Sequence, residues 1–134
     1  MDRYHVIAKC MDIWMNLREN DYTVNTYFSQ RNIHKIGIYG YGILGRHLIW
    51  EIEQSEVQVA WILDKRAESI TTALYPVYLP DAVEQIEAPD MFVVCAINDF
   101  EEIEAFLCEK TRIPVVSMET IIRECDRKRM ENNA

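Results

Sequence analysis

Residues 40–45 have the sequence Gly-Tyr-Gly-Ile-Leu-Gly, which is the pattern glycine-x-glycine-x-x-glycine. An apolar segment precedes the motif and a helical pattern follows it, and this context gives the glycines their meaning. The first glycine permits a tight turn, the second lets a phosphate approach the backbone, and the third lets the helix pack closely. These residues therefore predict that backbone N–H groups bind a phosphate at the start of a helix.

One carboxylate, Asp64, ends the next apolar segment, 24 positions after Gly40. A carboxylate there can accept hydrogen bonds from a ribose 2′-hydroxyl. Lys65 and Arg66 follow at once, and basic groups at this place favour a 2′-phosphate instead, so NAD and NADP both stay open. The alternative for Asp64 is a residue that merely ends a strand at a turn.

A second loop is predicted to face the same crevice, because ligands lie outside the carboxyl ends of parallel strands. It follows the apolar run at 91–96 and contains Asn98 and Asp99. Both residues precede a glutamate by three positions, so helix capping is the alternative to a contact with ribose or substrate. The complete predicted cofactor site is Gly40, Tyr41, Gly42, Ile43, Leu44, Gly45, Asp64, Lys65, Ala96 and Asn98.

The elements that must position these residues alternate between strands and helices from residue 35 onward. Before residue 35, helical patterns cover residues 4–18 and 23–29. After it, strands are predicted over 35–39, 57–63, 76–78, 91–96 and 113–116. Helices are predicted over 43–54, 80–87, 99–110 and 118–127.

Near-continuous apolar strands joined by helices predict a parallel sheet that is covered on both faces. Right-handed crossovers then predict the strand order 3-2-1-4-5, which defines an α/β, Rossmann-like fold. The expected organisation is an N-terminal helical extension over residues 1–34, a nucleotide-binding domain over 35–127 and a polar tail over 128–134.

Composition limits the functions that the chain can perform. The formal net charge is −8, and residues 36–125 carry six basic against sixteen acidic side chains. This balance argues against a nucleic-acid surface. No apolar run is long enough for a membrane span and no leader pattern is present at the start, so a cytoplasmic location is expected. The four cysteines have no metal-site spacing and are expected to be reduced and mostly packed.

Motifs for catalysis are missing from the sequence. Arg46 and His47 stand where a P-loop would have its lysine and hydroxyl, so ATP hydrolysis is not expected. None of the three histidines has a nucleophile or a second metal ligand placed beside it. Neither a catalytic residue nor a metal site is predicted.

Ile43 and Trp50 project from the outer face of the helix predicted over 43–54, and Trp50 is the larger side chain. It needs a cover, because the face that carries Leu48 and Ile52 is directed at the sheet. The N-terminal helix is the natural cover, and a second subunit that forms a homodimer through this helix and the Trp50 face is the alternative.

Four segments, residues 35–48, 59–65, 75–80 and 90–100, resemble a bacterial family of small Rossmann modules. These are similar to the nucleotide-sugar-binding N-terminal domains of sugar acetyltransferases and to NAD(P)-binding modules of polysaccharide-biosynthesis proteins. The resemblance covers roughly residues 35–122. It implies ligand contacts at residues 40–44 and at Asp64, and it implies no catalytic residue. The acyltransferase repeats of the sugar acetyltransferases are absent from this sequence.

Three functions remain open. The first is a module that binds NAD(P) or a nucleotide sugar, has no reaction of its own and takes part in glycan biosynthesis. The second is an oxidoreductase subunit whose substrate site is completed by a partner enzyme. The third is a ligand-free Rossmann domain that dimerises.

Overall fold

A computed structural model gives the fold and describes residues 3–132. Its helices are α1 (Arg3–Glu19), α2 (Asn25–Ser29), α3 (Ile43–Ile52), α4 (Phe100–Lys110) and α5 (Met118–Asn132). Its strands are β1 (Lys35–Tyr39), β2 (Gln58–Leu63), β3 (Val77–Tyr78), β4 (Met91–Val94) and β5 (Val115–Ser117). None of the helices in this described range is long and apolar enough to cross a membrane.

The five strands form one parallel sheet with the order β3-β2-β1-β4-β5, which confirms the predicted topology. Strand β1 is central and pairs with β2 on one side and with β4 on the other. The register with β2 shifts between Ile36 and Gly37. A Cβ at Gly37 would lie 2.5 Å from the Trp61 ring, so only glycine leaves room for this indole.

Both faces of the sheet are covered, which explains why the strands are apolar throughout. On one face, Ile36 and Ile38 join a core with side chains of α1, α2, α3 and α5. On the other face, Trp61 and Phe92 pack with α4 and with the short 3₁₀ helix Pro80–Gln85. The carboxyl ends of β1, β2 and β4 are left to meet at one edge of the sheet.

A buried carboxylate joins the N-terminal helices to the part of the chain that forms the sheet. Glu51 of α3 is 2% exposed and accepts hydrogen bonds from the Trp14 indole at 3.1 Å and the Val24 N–H at 2.6 Å. The Thr23 hydroxyl donates to it at 2.8 Å, and Arg18 Nε lies 3.5 Å away. The helical extension is therefore attached to α3 by a polar network as well as by apolar packing against α5.

Several element boundaries differ from the predicted ones for local reasons. Helix α5 continues to Asn132, whereas its predicted end was at residue 127, so residues 128–132 of the expected tail are helical. Pairs such as Arg127–Glu131 at 2.8 Å support these last turns. Strand β4 ends at Val94, because the N–H groups of residues 95 and 96 both donate to the Tyr39 carbonyl. Strand β5 begins after Pro114, which has no N–H group to donate.

The outer face of α3 is only partly covered by α1. Trp50 remains 57% exposed, with the Arg18 guanidinium 5.6 Å from its ring centroid. Met15 of α1 is 56% exposed beside it, and both side chains line one small cavity. The predicted cover by α1 is therefore incomplete.

Candidate functional site

The glycine turn joins β1 to α3 at the carboxyl edge of the sheet. Gly40 has φ of +106°, a conformation that side chains rarely tolerate, and its N–H donates to the Leu63 carbonyl at 2.8 Å. A Cβ at this position would also lie 2.9 Å from the Ala96 nitrogen. Gly40 therefore allows the chain to turn out of β1 at a point where its backbone packs closely against the residues that follow β2 and β4.

The other two glycines of the turn have different environments. A Cβ at Gly45 would lie 2.2 Å from the Gly40 carbonyl oxygen, so the start of α3 rests directly on the turn. A Cβ at Gly42 would meet nothing within 4 Å. Gly45 thus serves the packing of the helix on the sheet, whereas the missing side chain of Gly42 leaves open space above the backbone.

Backbone N–H groups without a partner among residues 3–132 belong to residues that line this open space. The N–H groups of Gly42, Ile43 and Leu44 donate to no other group of residues 3–132, as expected for the first turn of a helix. The N–H of Tyr41 is already engaged, because it donates to Asp64 Oδ2 at 2.8 Å. Three consecutive N–H groups and the positive end of the α3 dipole therefore remain for an anion.

Asp64 is buried at the end of β2, with only 9% of its side chain exposed. Besides the bond from Tyr41, its Oδ1 accepts the N–H of Arg66 at 2.8 Å and lies 3.6 Å from Arg66 Nε. A carboxylate has about four lone-pair sites, so both oxygens can accept further bonds. Asp64 thus fixes the shape of the glycine turn and can still accept a hydroxyl of a ligand.

A cavity of about 740 Å³ opens above the turn, a size within the range of small-molecule sites. Nine of the ten predicted cofactor residues line it, and the tenth, Gly45, lies beneath it. The lining members of the predicted set are Gly40, Tyr41, Gly42, Ile43, Leu44, Asp64, Lys65, Ala96 and Asn98.

Of the two residues for which helix capping is the alternative, Asp99 lies at the N-cap position of α4. Asp99 makes no capping hydrogen bond at the start of α4. The amide of Asn98 instead donates to the backbone carbonyl of Arg3 at 3.0 Å, and Asp99 lies 3.9 Å from the Arg3 guanidinium. Both residues face the cavity because residues 97–99 form a short 3₁₀ helix that delays the start of α4.

Part of the cavity wall is formed by residues that no sequence motif predicts. Arg3, Tyr4 and Ile7 of α1 line it, although they precede the glycine turn by more than thirty residues. No local pattern reveals how far α1 reaches along the sheet edge. Arg46 also lines the cavity, and its position one turn into α3 is a signal in the sequence that could have indicated a cation there.

The charge around the cavity is opposite in sign to that of the whole chain. Four basic side chains and two acidic ones line it, while the chain carries a net charge of −8. The basic side chains are Arg3, Arg46, Lys65 and Arg66, and the acidic ones are Asp64 and Asp99. Such a local excess of positive charge favours an anionic ligand.

Two further groups at the cavity stay protonated at neutral pH. Burial raises the pKa of the Tyr39 phenol, and the nearby carboxylate of Asp64 adds to the shift. Burial also raises the pKa of the Cys95 thiol far above its ordinary range. Tyr39 is therefore a hydrogen-bond donor, and Cys95 lacks the thiolate character of a nucleophile.

Residues 3–132 contain no cluster of three or more histidine, cysteine, aspartate or glutamate side chains that could hold a metal ion. The hydrogen-bond donors that line the cavity are backbone N–H groups and cationic side chains, and these groups suit an anionic ligand.

Together, the sheet order, the glycine turn and the cavity at the carboxyl edge define the chain as a Rossmann-type α/β module. No protein-family profile matches the sequence, and no curated protein matches it. Among solved structures, the fold is similar to that of an engineered D-amino acid dehydrogenase bound to NADP⁺, with a TM-score of 0.51 and 18% sequence identity. The match covers 69% of this chain and 32% of the dehydrogenase chain. This similarity shows the fold.

Proposed function

We propose that this chain is a nucleotide-binding module whose ligand places a phosphate on the glycine turn. One observation carries the proposal. The free N–H groups of residues 42–44 lie beside the open space at Gly42, in a cavity lined mainly by cations although the whole chain is acidic. Dinucleotides of the NAD(P) class and nucleotide sugars both carry a pyrophosphate, and both are candidates.

Asp64 is the proposed acceptor for a ribose hydroxyl. It lines the cavity at the end of β2, and its oxygens retain free lone pairs. Lys65 and Arg66 lie at the same end of the cavity and are both exposed, so a 2′-phosphate would find two cations there. The preference of the site for NAD or NADP thus depends on whether the 2′-group of the ligand contacts Asp64 or these cations.

The nucleobase of the ligand is proposed to occupy a second cavity that adjoins the first. This space of about 330 Å³ shares Tyr39, Lys65 and Ile103 with the main cavity. Leu79 and Phe106 add apolar surface to it. Pro80, Asp81 and Glu102 complete the lining, and apolar surface beside a few polar groups is the usual environment of a ligand's aromatic ring.

We also propose that the module has no reaction of its own and works with a partner enzyme, such as one of glycan biosynthesis. The sequence places no nucleophile beside a general base. The alternative is an oxidoreductase subunit that receives its substrate site from the partner. Hydride transfer that appears only when the partner is added would favour this alternative.

Isothermal titration calorimetry with NAD, NADP and UDP-glucose tests nucleotide binding. We expect at least one of them to bind, and Gly42→Ala to weaken it about tenfold or more, because the new methyl group lies where the phosphate must approach. The variant should unfold within about 2 °C of the parent, since its Cβ contacts nothing. Gln54→Ala, at the exposed far end of the same helix region, is the control. A folded protein that releases no heat with any of the three ligands refutes the proposal.

A second candidate function, self-association through α1 and the Trp50 face, is supported by exposed apolar surface. Trp50 and Met15 are each more than half exposed and lie side by side, and aromatic residues and methionine are enriched in interfaces. Sedimentation equilibrium should give a dimer that Trp50→Glu dissociates. Leu74→Glu is the matched control, because Leu74 is 86% exposed on a loop elsewhere. A monomeric parent chain at high micromolar concentration contradicts this candidate.

A further inference from the structure

The first two turns of α1 form a wall of the main cavity. Arg3, Tyr4 and Ile7 all line it, and their spacing places them on one face of the helix. Helix α1 precedes β1, so this wall lies outside the strand–helix units that build the sheet. The cavity is thus closed on one side by the helical extension.

The position of this wall along the ligand follows from the strand order. Asp64 follows β2 and Asn98 follows β4, and these strands lie on opposite sides of β1 and its glycine turn. The start of α1 sits on the Asn98 side, where the Asn98 amide donates to the Arg3 carbonyl. A ligand whose ribose meets Asp64 therefore reaches α1 with the part beyond its first phosphate.

Arg3 brings a positive charge to this distal end. Its guanidinium lies 3.9 Å from the Asp99 carboxylate, and the two side chains are 64% and 49% exposed. An ion pair so exposed and so long contributes little by itself, so the guanidinium can exchange it for another anion. Guanidinium groups bind phosphate oxygens in a bidentate manner, which makes a distal phosphate the fitting partner.

The rest of α1 holds this end of the helix in place. Cys10, Trp14 and Leu17 are at most 4% exposed, and Trp14 donates to the buried Glu51. Arg3 is instead held at the cavity rim by the exposed contacts to Asn98 and Asp99. Helix α1 is therefore anchored by its buried central and C-terminal residues, whereas the contacts of Arg3 at its first turn are exposed.

We infer that Arg3 is a specificity-determining residue, which contacts an anionic group of the ligand beyond the phosphate that sits on the glycine turn. This inference rests on the proposed nucleotide binding and extends it. The preferred class of ligand is then a nucleotide that carries at least a second phosphate. Nucleoside monophosphates, which lack this group, should gain nothing from Arg3.

The test compares nucleoside monophosphates with diphosphates, using AMP against ADP and UMP against UDP in calorimetric titrations. In the Arg3→Gln variant we expect the affinity for the diphosphate that binds to fall about tenfold or more, with less than a twofold change for its monophosphate. Arg3→Lys should recover part of the loss. Lys9→Gln removes an exposed cation farther along the same helix, outside the cavity, and should change neither affinity.

The outcomes separate this inference from the proposed function. If a diphosphate binds, depends on Gly42 and is insensitive to Arg3→Gln, the role of Arg3 is wrong while nucleotide binding stands. An equal loss for monophosphate and diphosphate also overturns it, because Arg3 then acts on the shared phosphate or on the fold. If none of these nucleotides and none of the larger ligands binds the parent chain, both proposals fail together. Hydrogen exchange supplies a second readout, since bound diphosphate should slow exchange at residues 4–9 in the parent but not in Arg3→Gln.

Discussion

Removal of the buried Glu51 carboxylate should destabilise the chain strongly, because several donors share this one acceptor. The Trp14 indole and the Val24 N–H are buried donors, and the Thr23 hydroxyl is partly buried. A buried donor left without a partner costs about 1–3 kcal/mol. The pair with Arg18 adds little to this sum, since the Arg18 side chain is 38% exposed and is screened by solvent.

These contributions give about 4 kcal/mol for Glu51→Ala and about 2 kcal/mol for Glu51→Gln, which keeps one acceptor oxygen. A domain of this size is stable by about 5–15 kcal/mol, so the glutamine variant should still fold and its loss can be measured. Urea unfolding followed by circular dichroism and by tryptophan fluorescence gives both values by linear extrapolation.

Glu56→Gln is the matched control, because Glu56 lies on the surface just after α3 and should change stability by less than about 0.5 kcal/mol. A Glu51→Gln variant that is as stable as this control would refute the reasoning. It would mean that the donors of α1 and the following loop find other partners, and that the helical extension is held by apolar packing alone.

Three further outcomes follow from single sites. Gly45→Ala should lower the free energy of unfolding by about 1–3 kcal/mol, because its methyl group would overlap the Gly40 carbonyl. Urea unfolding measures this loss, and a variant as stable as the parent would contradict the observed packing. Asp90 accepts the N–H groups of His34 and Lys35, which lower its pKa. Its contribution to stability is therefore fully present above about pH 3.9 and is lost as the pH falls through the lower folded-state pKa. Thermal unfolding should show Asp90→Asn to be less stable than the parent at pH 6, with a difference that shrinks as the pH falls below about 3.9, and a difference that does not change with pH would contradict this role. Mass spectrometry after brief iodoacetamide treatment should find the label on the exposed Cys108 first, since burial raises the pKa of Cys10 and Cys125 to about 11. Early labelling of Cys10 or Cys125 to a comparable extent would show that the core opens.

The sequence was sufficient to predict the sheet and its glycine turn because local signals agreed there. Apolar runs specified the strands, and the handedness of crossovers specified their order. The three glycines were assigned separate tasks, and the geometry at Gly40 and Gly45 confirms a tight turn and close helix packing. The task of Gly42 stays a prediction, since it concerns a ligand.

What the sequence did not predict depends on contacts between distant segments. Glu51 follows Leu48 by three positions and precedes Ile52, so it lies on the buried stripe of α3. This spacing was a usable signal that Glu51 is buried. A charged residue is rarely buried unless it is paired, however, and the partners of Glu51 are 27 to 37 positions away in the sequence. The contact of Arg3 with Asn98 spans 95 positions and has no local signal at all.

The two readings of Asp64 turn out to be compatible. It does end a strand at a turn, as the bond from the Arg66 N–H to its Oδ1 shows. Its other oxygen accepts the Tyr41 N–H and so ties the end of β2 to the glycine turn. A turn that is held in shape before a ligand arrives loses less freedom when the ligand binds. The carboxylate that is proposed to receive the ribose is therefore also the group that prepares the N–H groups for the phosphate, which links the two halves of the proposed site through one side chain.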